Sequence, residues 1–441
     1  MSLSNYCFWK RMSVGAAAML LAVGLLATRA SCQAPAAAEA PAADAAVEDE
    51  VPVMLRQYQE VREYKGADGI MMPIELNPRA RTQITRILND GKFTLADDEK
   101  IFDDYYRFRI AELTWAENIT DLPKKRGVFK KQDLSMSGRA AEPDVHTRLN
   151  KKLLDVLPNI ALKDAYHPVV RYNCMALIAI LDQAEPAIGG VGAVPLPEAL
   201  VRLKEAAADL GQIDVVRIAA MDGILRHCEL EVAVPMRKEL APMLESIISE
   251  KKPSPVGTPA GQFWLRHRAA QALAQMAAKW PEANRPEAVT ALQQLIGDED
   301  AAYIFRADAA QAIGSLEKRV FKDGAALRDL STLIGRLAIG IATKAPVPDA
   351  GKVNSENLTY CLLRTNSALK GQDPNRGLSA AAIEPSTRKF VTDLANKIDG
   401  LISTANDQRL NDSDRTVRLA DEADRLNQWL EKSRTTLAEA K

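Results

Sequence analysis

The sequence predicts an all-α protein built from repeated helix pairs. Four stretches are versions of one another: VVRYNCMALI from Val169, VVRIAAMDGI from Val215, WLRHRAAQAL from Trp264 and IFRADAAQAI from Ile304. Their arginines, Arg171, Arg217, Arg266 and Arg306, lie 46, 49 and 40 residues apart, the period of a two-helix repeat. Alanine and leucine dominate the apolar set, which favours helix. Aromatic residues make up only 5% of the chain, few for a sandwich or barrel that relies on aromatic cross-strand pairs.

A length of 441 residues leaves room for a large core or two to three domains. Hydrophobic residues at 47% and charged residues at 26% are ordinary globular usage. Lys plus Arg is 57 and Asp plus Glu is 58, a net charge of −1. That balance provides no global attraction to nucleic acid or anionic lipid, so neither is expected as a partner.

The elements follow in order. Residues 1–34 read as a secretory signal or an N-terminal anchor. Lys10 and Arg11 flank an uncharged apolar run, Val14–Ala27, short for a membrane span, and small residues follow near Ala30 and Ala34. Cleavage, retention as an anchor, and acylation at Cys32 within Ala30-Ser31-Cys32 all stay open, although Arg29 stands where an acylation site carries an aliphatic residue. Residues 35–50 are Ala/Pro-rich and then acidic, and read as a disordered linker. Order is expected from about Val51.

Residues 51–145 read as a helical, aromatic-rich cap. Pro78 opens one helix, ended by Asn89-Asp90-Gly91, and Thr94–Trp115 reads as a second. Phe102, Tyr105, Tyr106, Phe108 and Trp115 are expected to pack on the first repeat. The basic run Lys124, Lys125, Arg126, Lys130 and Lys131 reads as a solvated face, with an anionic partner as the alternative.

Residues 146–318 read as four helix pairs. The first helices are His146–Leu157, Pro197–Leu210, Met236–Ile248 and Glu287–Ile296. The second begin at Pro168, Asp214, Gln262 and Ala302, and Asp214 suits an N-cap. In register, Val170, Val216, Leu265 and Phe305 are followed four residues on by Cys174, Ala220, Ala269 and Ala309. Ile178, Ile224, Leu273 and Ile313 lie eight residues on. These three offsets share one helix stripe, and the small residues in its middle let a neighbouring helix approach closely. Residues 319–441 read as a degenerate fifth pair, Ala325–Ala342 and Ser355–Leu369, and C-terminal capping helices. Leu419, Ala423, Leu426, Leu430 and Leu437 make a short apolar seam in the last helix.

No residue is assigned a catalytic, cofactor-binding or metal-ligating role. The four histidines, His146, His167, His227 and His267, fall in no metal-site spacing, and GxSxG, P-loop and GxGxxG motifs are absent. Gly189-Gly190-Val191-Gly192 has no strand signal before it and reads as a flexible connection between pairs. Cys174, Cys228 and Cys361 are three, widely spaced and outside any CxxC, so a disulfide framework is not expected.

The pattern V-R-x-x-A-x-x-A-L in the second helices resembles HEAT repeats, over about residues 145–318. Leu265–Leu273 fits best, and the first unit departs with Leu177 where a small residue is usual. The resemblance implies a HEAT-like α-α superhelix with helical caps at both ends. It also implies that the four arginines are structural, each meeting a carboxylate or carbonyl of an adjacent turn. The chain resembles extracytoplasmic bacterial HEAT-repeat proteins. The chain is therefore expected in the periplasm or cell envelope, or secreted, as a non-catalytic scaffold or adaptor for other proteins, without cofactors. An envelope-tethered structural protein and a HEAT-fold enzyme or ligand-binding protein are the alternatives. Long loops on a rigid scaffold often carry recognition. The insertion at 251–261, with Lys251, Lys252, Phe263 and Trp264, is the expected partner edge.

Overall fold

A computed structural model describes residues 59–60, 78–186, 192–321, 323–344, 355–371, 373 and 375–439, without the side chains of 78, 355–356 and 434–439. The expected signal, linker and start of order at Val51 lie outside these residues. Contacts divide the chain into Met1–Gln57, which is outside them as well, and Tyr58–Lys441. Among its described residues the second unit is all-α apart from one small pair of strands.

Helix α1 is Pro78–Asp90 and α2 is Asp98–Ala111. The expected single helix from Thr94 to Trp115 is thus shorter at both ends. The Asp98 carboxylate folds back to accept from the Thr94 and Leu95 amides, each at 2.8 Å, which holds those residues in a turn. After Ala111 the chain tightens to 3₁₀ turns at Glu112–Thr114 and Ala116–Asp121. Helix α3, Leu122–Val128, runs into a π-helical segment, Phe129–Leu134, and a last α-turn, Ser135–Ser137. Phe102, Tyr105, Tyr106 and Phe108 are buried, with Phe102, Tyr106 and Phe129 in tilted ring contacts. At 4.6–6.4 Å between centroids, these rings make a shared core.

The paired helices follow. They are α4 Asp144–Ala161 with α5 Pro168–Ile178, and α6 Pro197–Ala208 with α7 Asp214–Glu229. Then come α8 Val234–Ser249 with α9 Pro259–Lys279, and α10 Pro286–Ile296 with α11 Tyr303–Ser315. A fifth pair is α12 Gly324–Lys344 with α13 Ser355–Lys370, and the connection between them, 345–354, lies outside the described residues. Prolines stand in the first turn of α5, α6, α8, α9 and α10, where a missing N–H costs nothing.

Each first helix packs on its own second helix. The second helices also pack on one another in chain order, α5 on α7, α7 on α9, α9 on α11 and α11 on α13. The stripe at offsets 0, 4 and 8 makes these contacts. Val170, Cys174, Ile178, Val216, Ala220, Ile224, Leu265, Ala269, Leu273, Phe305, Ala309 and Ile313 are all buried. Approach is close at Gly314, where a Cβ would run into the Ser367 carbonyl of α13.

Helix α14, Gly377–Ala381, leads to α15, Pro385–Asn406, and α16, Asp412–Glu439. Leu419, Ala423, Leu426 and Leu430 are buried, and α16 packs on α12 and α15. The apolar seam therefore closes the helical stack rather than waiting for a second chain.

The connection at 184–197 departs from expectation. Asp182–Ala184 (β1) pairs antiparallel with Val194–Pro195 (β2), so a short ribbon stands on each side of the glycines, and 187–191 lie outside the described residues. Asp214 departs too. It is the first residue of α7 rather than its cap, and its carboxylate accepts from the Thr258 amide at 2.7 Å and hydroxyl at 2.9 Å. Asp214 thereby pins the far end of the 251–258 loop to the neighbouring pair.

Candidate functional site

The four repeat arginines do one job. Each donates Nε to a carbonyl at the end of the first helix of its own pair. Arg171 reaches Ala161 O at 3.0 Å, Arg217 reaches Ala207 O at 3.1 Å, and Arg266 and Arg306 reach Ile248 O and Ile296 O at 2.8 Å. Those carbonyls have no partner within their helix and form the negative end of its dipole, so a cation belongs there. Two guanidinium groups also reach the next pair: Arg171 to Gln212 Oε1 and Arg266 to Asp298 Oδ2, each at 2.5 Å. Arg171, Arg217 and Arg266 are buried, and Arg306 is half-buried. These arginines hold helix ends and are spent on that task.

A second set of cations closes the C-terminal ends of the second helices. Arg226 lies 3.5 Å from Ala179 O of the preceding pair. Lys279 donates to Cys228 O at 3.1 Å and Leu230 O at 3.4 Å, and to Glu229 O. Arg376 reaches Ala277 O at 2.6 Å and Ala278 O at 3.2 Å, and also Ser315 O. Sequence reasoning missed this set. The available signal was a basic residue in the last turn of α7 and of α9.

Offsets 2, 3 and 6 on the second helices turn away from the core stripe. There a polar and aromatic seam runs from α5 to α13. Arg126 of α3 donates to Asn173 Oδ1 at 3.0 Å and lies over the Tyr172 ring at 5.9 Å. Arg268 pairs with Asp222 of α7 at 2.8 Å, donates to Gln271 Oε1 at 2.8 Å and lies over Trp264 at 5.6 Å. Asp308 of α11 is buried and shared. It contacts His267 Nε2 at 2.6 Å, and Gln271 Nε2 and Tyr360 Oη donate to it at 2.8 and 2.9 Å. Arg364 of α13 stands 3.6 Å from Asp308 and 4.7 Å over Tyr360. The His267 ring stacks on Phe305 at 4.6 Å, and Trp264 meets both rings.

The seam's charges are ordered by depth. Burial works against the Asp308 carboxylate, but the bonds from His267 and Tyr360 and the charge of Arg364 outweigh it and hold its pKa below the usual range. Burial pushes the His267 pKa down, so the ring is neutral and donates from Nε2. Asp222 keeps 40% of its side-chain surface accessible, and partial burial raises its carboxyl against the pull of Arg268 and Arg126. Arg126, Arg226, Arg268 and Arg364 are half-buried, and Lys279 and Glu229 are exposed, at the same surface.

The expected partner edge divides. Trp264 belongs to the seam. Phe263 lies under Arg266, at 5.8 Å, and Lys251 borders the same buried ion pair, 4.0 Å from Asp298. Lys252 is exposed, and its amide donates to Glu250 at 3.0 Å. The basic run is the expected solvated face only at Lys124 and Lys131, which are exposed. Lys125 pairs with Glu112 at 3.1 Å, Lys130 with Asp182 at 2.9 Å and Glu185 at 3.0 Å, and Arg126 with Asn173. The spacing i, i+1, i+2, i+6, i+7 hid a helical segment whose inner side, Lys125, Arg126 and Lys130, meets polar groups on other elements.

Ser137 Oγ and His146 Nδ1 are 3.0 Å apart, a nucleophile–base distance. Both are buried, and His146 Nε2 is engaged by Asp182 O at 2.8 Å, so no substrate carbonyl reaches the hydroxyl. Cys174, Cys228 and Cys361 are free and buried, and burial pushes the Cys174 and Cys361 thiols up to about 12. Thiols so far from ionisation are poor nucleophiles at neutral pH. His227 is buried, and its pKa is pulled down to about 4 by burial. Among the described residues no cluster could hold a metal ion, and no helix is long and apolar enough to cross a membrane.

The described unit is thus an all-α protein of successive helix pairs carrying a polar and aromatic seam on its second helices. No family model, curated protein or solved structure matches the chain.

Proposed function

We propose that the chain is a HEAT-like α-solenoid, exported to the periplasm or cell envelope, that acts as a non-catalytic scaffold for another protein. The arginine spacing and the ordered packing of second helix on second helix support the solenoid reading. One observation carries the functional reading. Across five successive second helices, half-accessible tyrosine, tryptophan and arginine side chains share one seam, and such residues dominate the energetics of protein interfaces. The test is photocrosslinking in cells from position 222 or 268, compared with Lys252 on the loop. Capture of one discrete protein from the seam positions, and not from Lys252, is the expected result. An adduct from Lys252 alone, with none from the seam, would move the partner surface to the loop.

A further inference from the structure

We propose that a cleft beside the π-helical segment binds a phosphate group. The cleft, of about 230 Å³, is lined by Asn89 in the last turn of α1 and by Lys131, Ser135, Met136, Arg139 and Ala140. It shares no lining residue with the seam and stands whether or not the chain is a scaffold. Its walls follow from local structure. A π-helix closes its turn at i+5, which aligns Lys131 with Met136, and π turns are uncommon and concentrate at functional sites. On the other side Gly91 has φ +72°, and a Cβ there would strike Ala140 and the Glu142 carbonyl. The end of α1 therefore lies directly against the chain that carries Arg139.

The charge here is unspent. Of the basic run, Lys125, Arg126 and Lys130 are engaged by other elements. Lys131 and Arg139 are exposed, and among the described residues their side chains have no ion pair or hydrogen bond. The acids around the cleft are already held. Glu185, which accepts from Ser135 at 3.2 Å, is paired with Lys130, Asp133 is bonded by Tyr106, and Asp90 is paired with Arg86 at 3.4 Å. Glu142 and Asp144 are exposed further along, and neither lines the cleft. The helix-end carbonyls are used as well, Ile87 O by the Gly91 amide and Leu134 O by the Gly138 amide. A cleft below the roughly 300–1,000 Å³ of drug-sized sites admits one compact group. A phosphate monoester brings about −1.5 to −2 charges and three acceptor oxygens, which suits a lysine point charge beside an arginine fork. A carboxylate brings one charge and leaves a cation unanswered.

The experiment is isothermal titration calorimetry of the full chain with inorganic phosphate at neutral pH, against acetate at matched ionic strength. Phosphate should bind at one site, at least about tenfold more tightly than acetate. Lys131→Gln and Arg139→Gln should each weaken it at least about fivefold and together abolish it, at unchanged melting temperature. Lys131→Arg keeps the charge and should retain binding. Lys124→Gln removes an exposed charge of the same run outside the cleft and should change nothing. Absent phosphate binding, equal binding of acetate, or binding that survives the double substitution overturns the proposal. So does a loss in Lys124→Gln as large as in Lys131→Gln, which would reduce the effect to general charge. Sedimentation with phosphatidylcholine vesicles containing phosphatidic acid identifies the source. Sedimentation that free phosphate blocks and the double substitution removes makes the group a lipid headgroup. No sedimentation, or sedimentation indifferent to both, makes it a soluble phosphate.

Discussion

Arg266 Nε donates to the Ile248 carbonyl at 2.8 Å while its Nη1 holds Asp298 Oδ2 at 2.5 Å, and the guanidinium is fully buried. One side chain thus closes α8 and ties the third pair to the fourth. Arg266→Ala leaves the Asp298 carboxylate and the Ile248 carbonyl without it, at a cost of about 3–5 kcal/mol. Arg306→Ala removes a half-buried group bonded to Ile296 O and should cost about 1 kcal/mol. Urea denaturation of both variants checks the order. Equal costs would mean that burial does not set the strength of these caps.

Glu245 is buried on α8, 3.5 Å from Arg285. Burial raises its carboxyl to about 7, from an ordinary 4.5, against the pull of Arg285. The folded chain holds this proton where the unfolded chain has lost it. Stability from this group is therefore full below pH 4.5 and is lost as pH rises towards 7. Glu245→Gln should flatten that slope and stabilise the chain above pH 7 by on the order of 2 kcal/mol. Denaturation midpoints from pH 4.5 to 8 provide the check, and an unchanged slope refutes the assignment.

Asp308 accepts from three side chains on two helices besides its own. Asp308→Ala strands His267 and Gln271 and should cost about 3 kcal/mol, whereas Tyr360→Phe should cost about 1 kcal/mol. The double variant should cost less than the sum, because Tyr360 has already lost its acceptor. Strict additivity in a double-mutant cycle would exclude the shared network.

The 251–258 loop is held by Asp214 through Thr258. A Cβ at Gly261 would overlap the Asp214 carboxylate. Gly261→Ala should therefore release the loop and speed trypsin cleavage after Lys251, with far less effect on cleavage elsewhere. Cleavage at the parent rate would show that the carboxylate yields without cost.

Cys174, Cys228 and Cys361 are buried thiols. Iodoacetamide at pH 8 should leave all three unmodified in the folded chain and alkylate them in urea, as read by peptide mass mapping. Labelling of Cys228 under native conditions would show that the α7–α9 contact opens.

The helices were legible because each writes its core stripe in the same place. Val170, Val216, Leu265 and Phe305 head four stripes whose middle is Cys174 or alanine, and packing demands just that. The arginines were legible for a related reason: the end they close recurs ten residues upstream in three pairs. The seam was harder to read. Its members change identity from helix to helix, since a polar surface needs complementarity between neighbours rather than a repeated residue. A trace was present. Six residues beyond the leading apolar position stand Asp222, Gln271 and Gln311, polar side chains in line on helices otherwise buried on most sides. Asp214 was misread because the partner of its carboxylate lies 44 residues away.

Arg376 closes carbonyl ends that lie far behind it in the chain, Ala277 by 99 residues and Ser315 by 61. A polypeptide emerging from its N-terminus completes α9 and α11 long before it contains the guanidinium that fastens them. Synthesis therefore passes through a stage in which both ends are built but unlatched, and the final fastening of the third and fourth pairs waits for a residue 61 to 99 positions further along the chain.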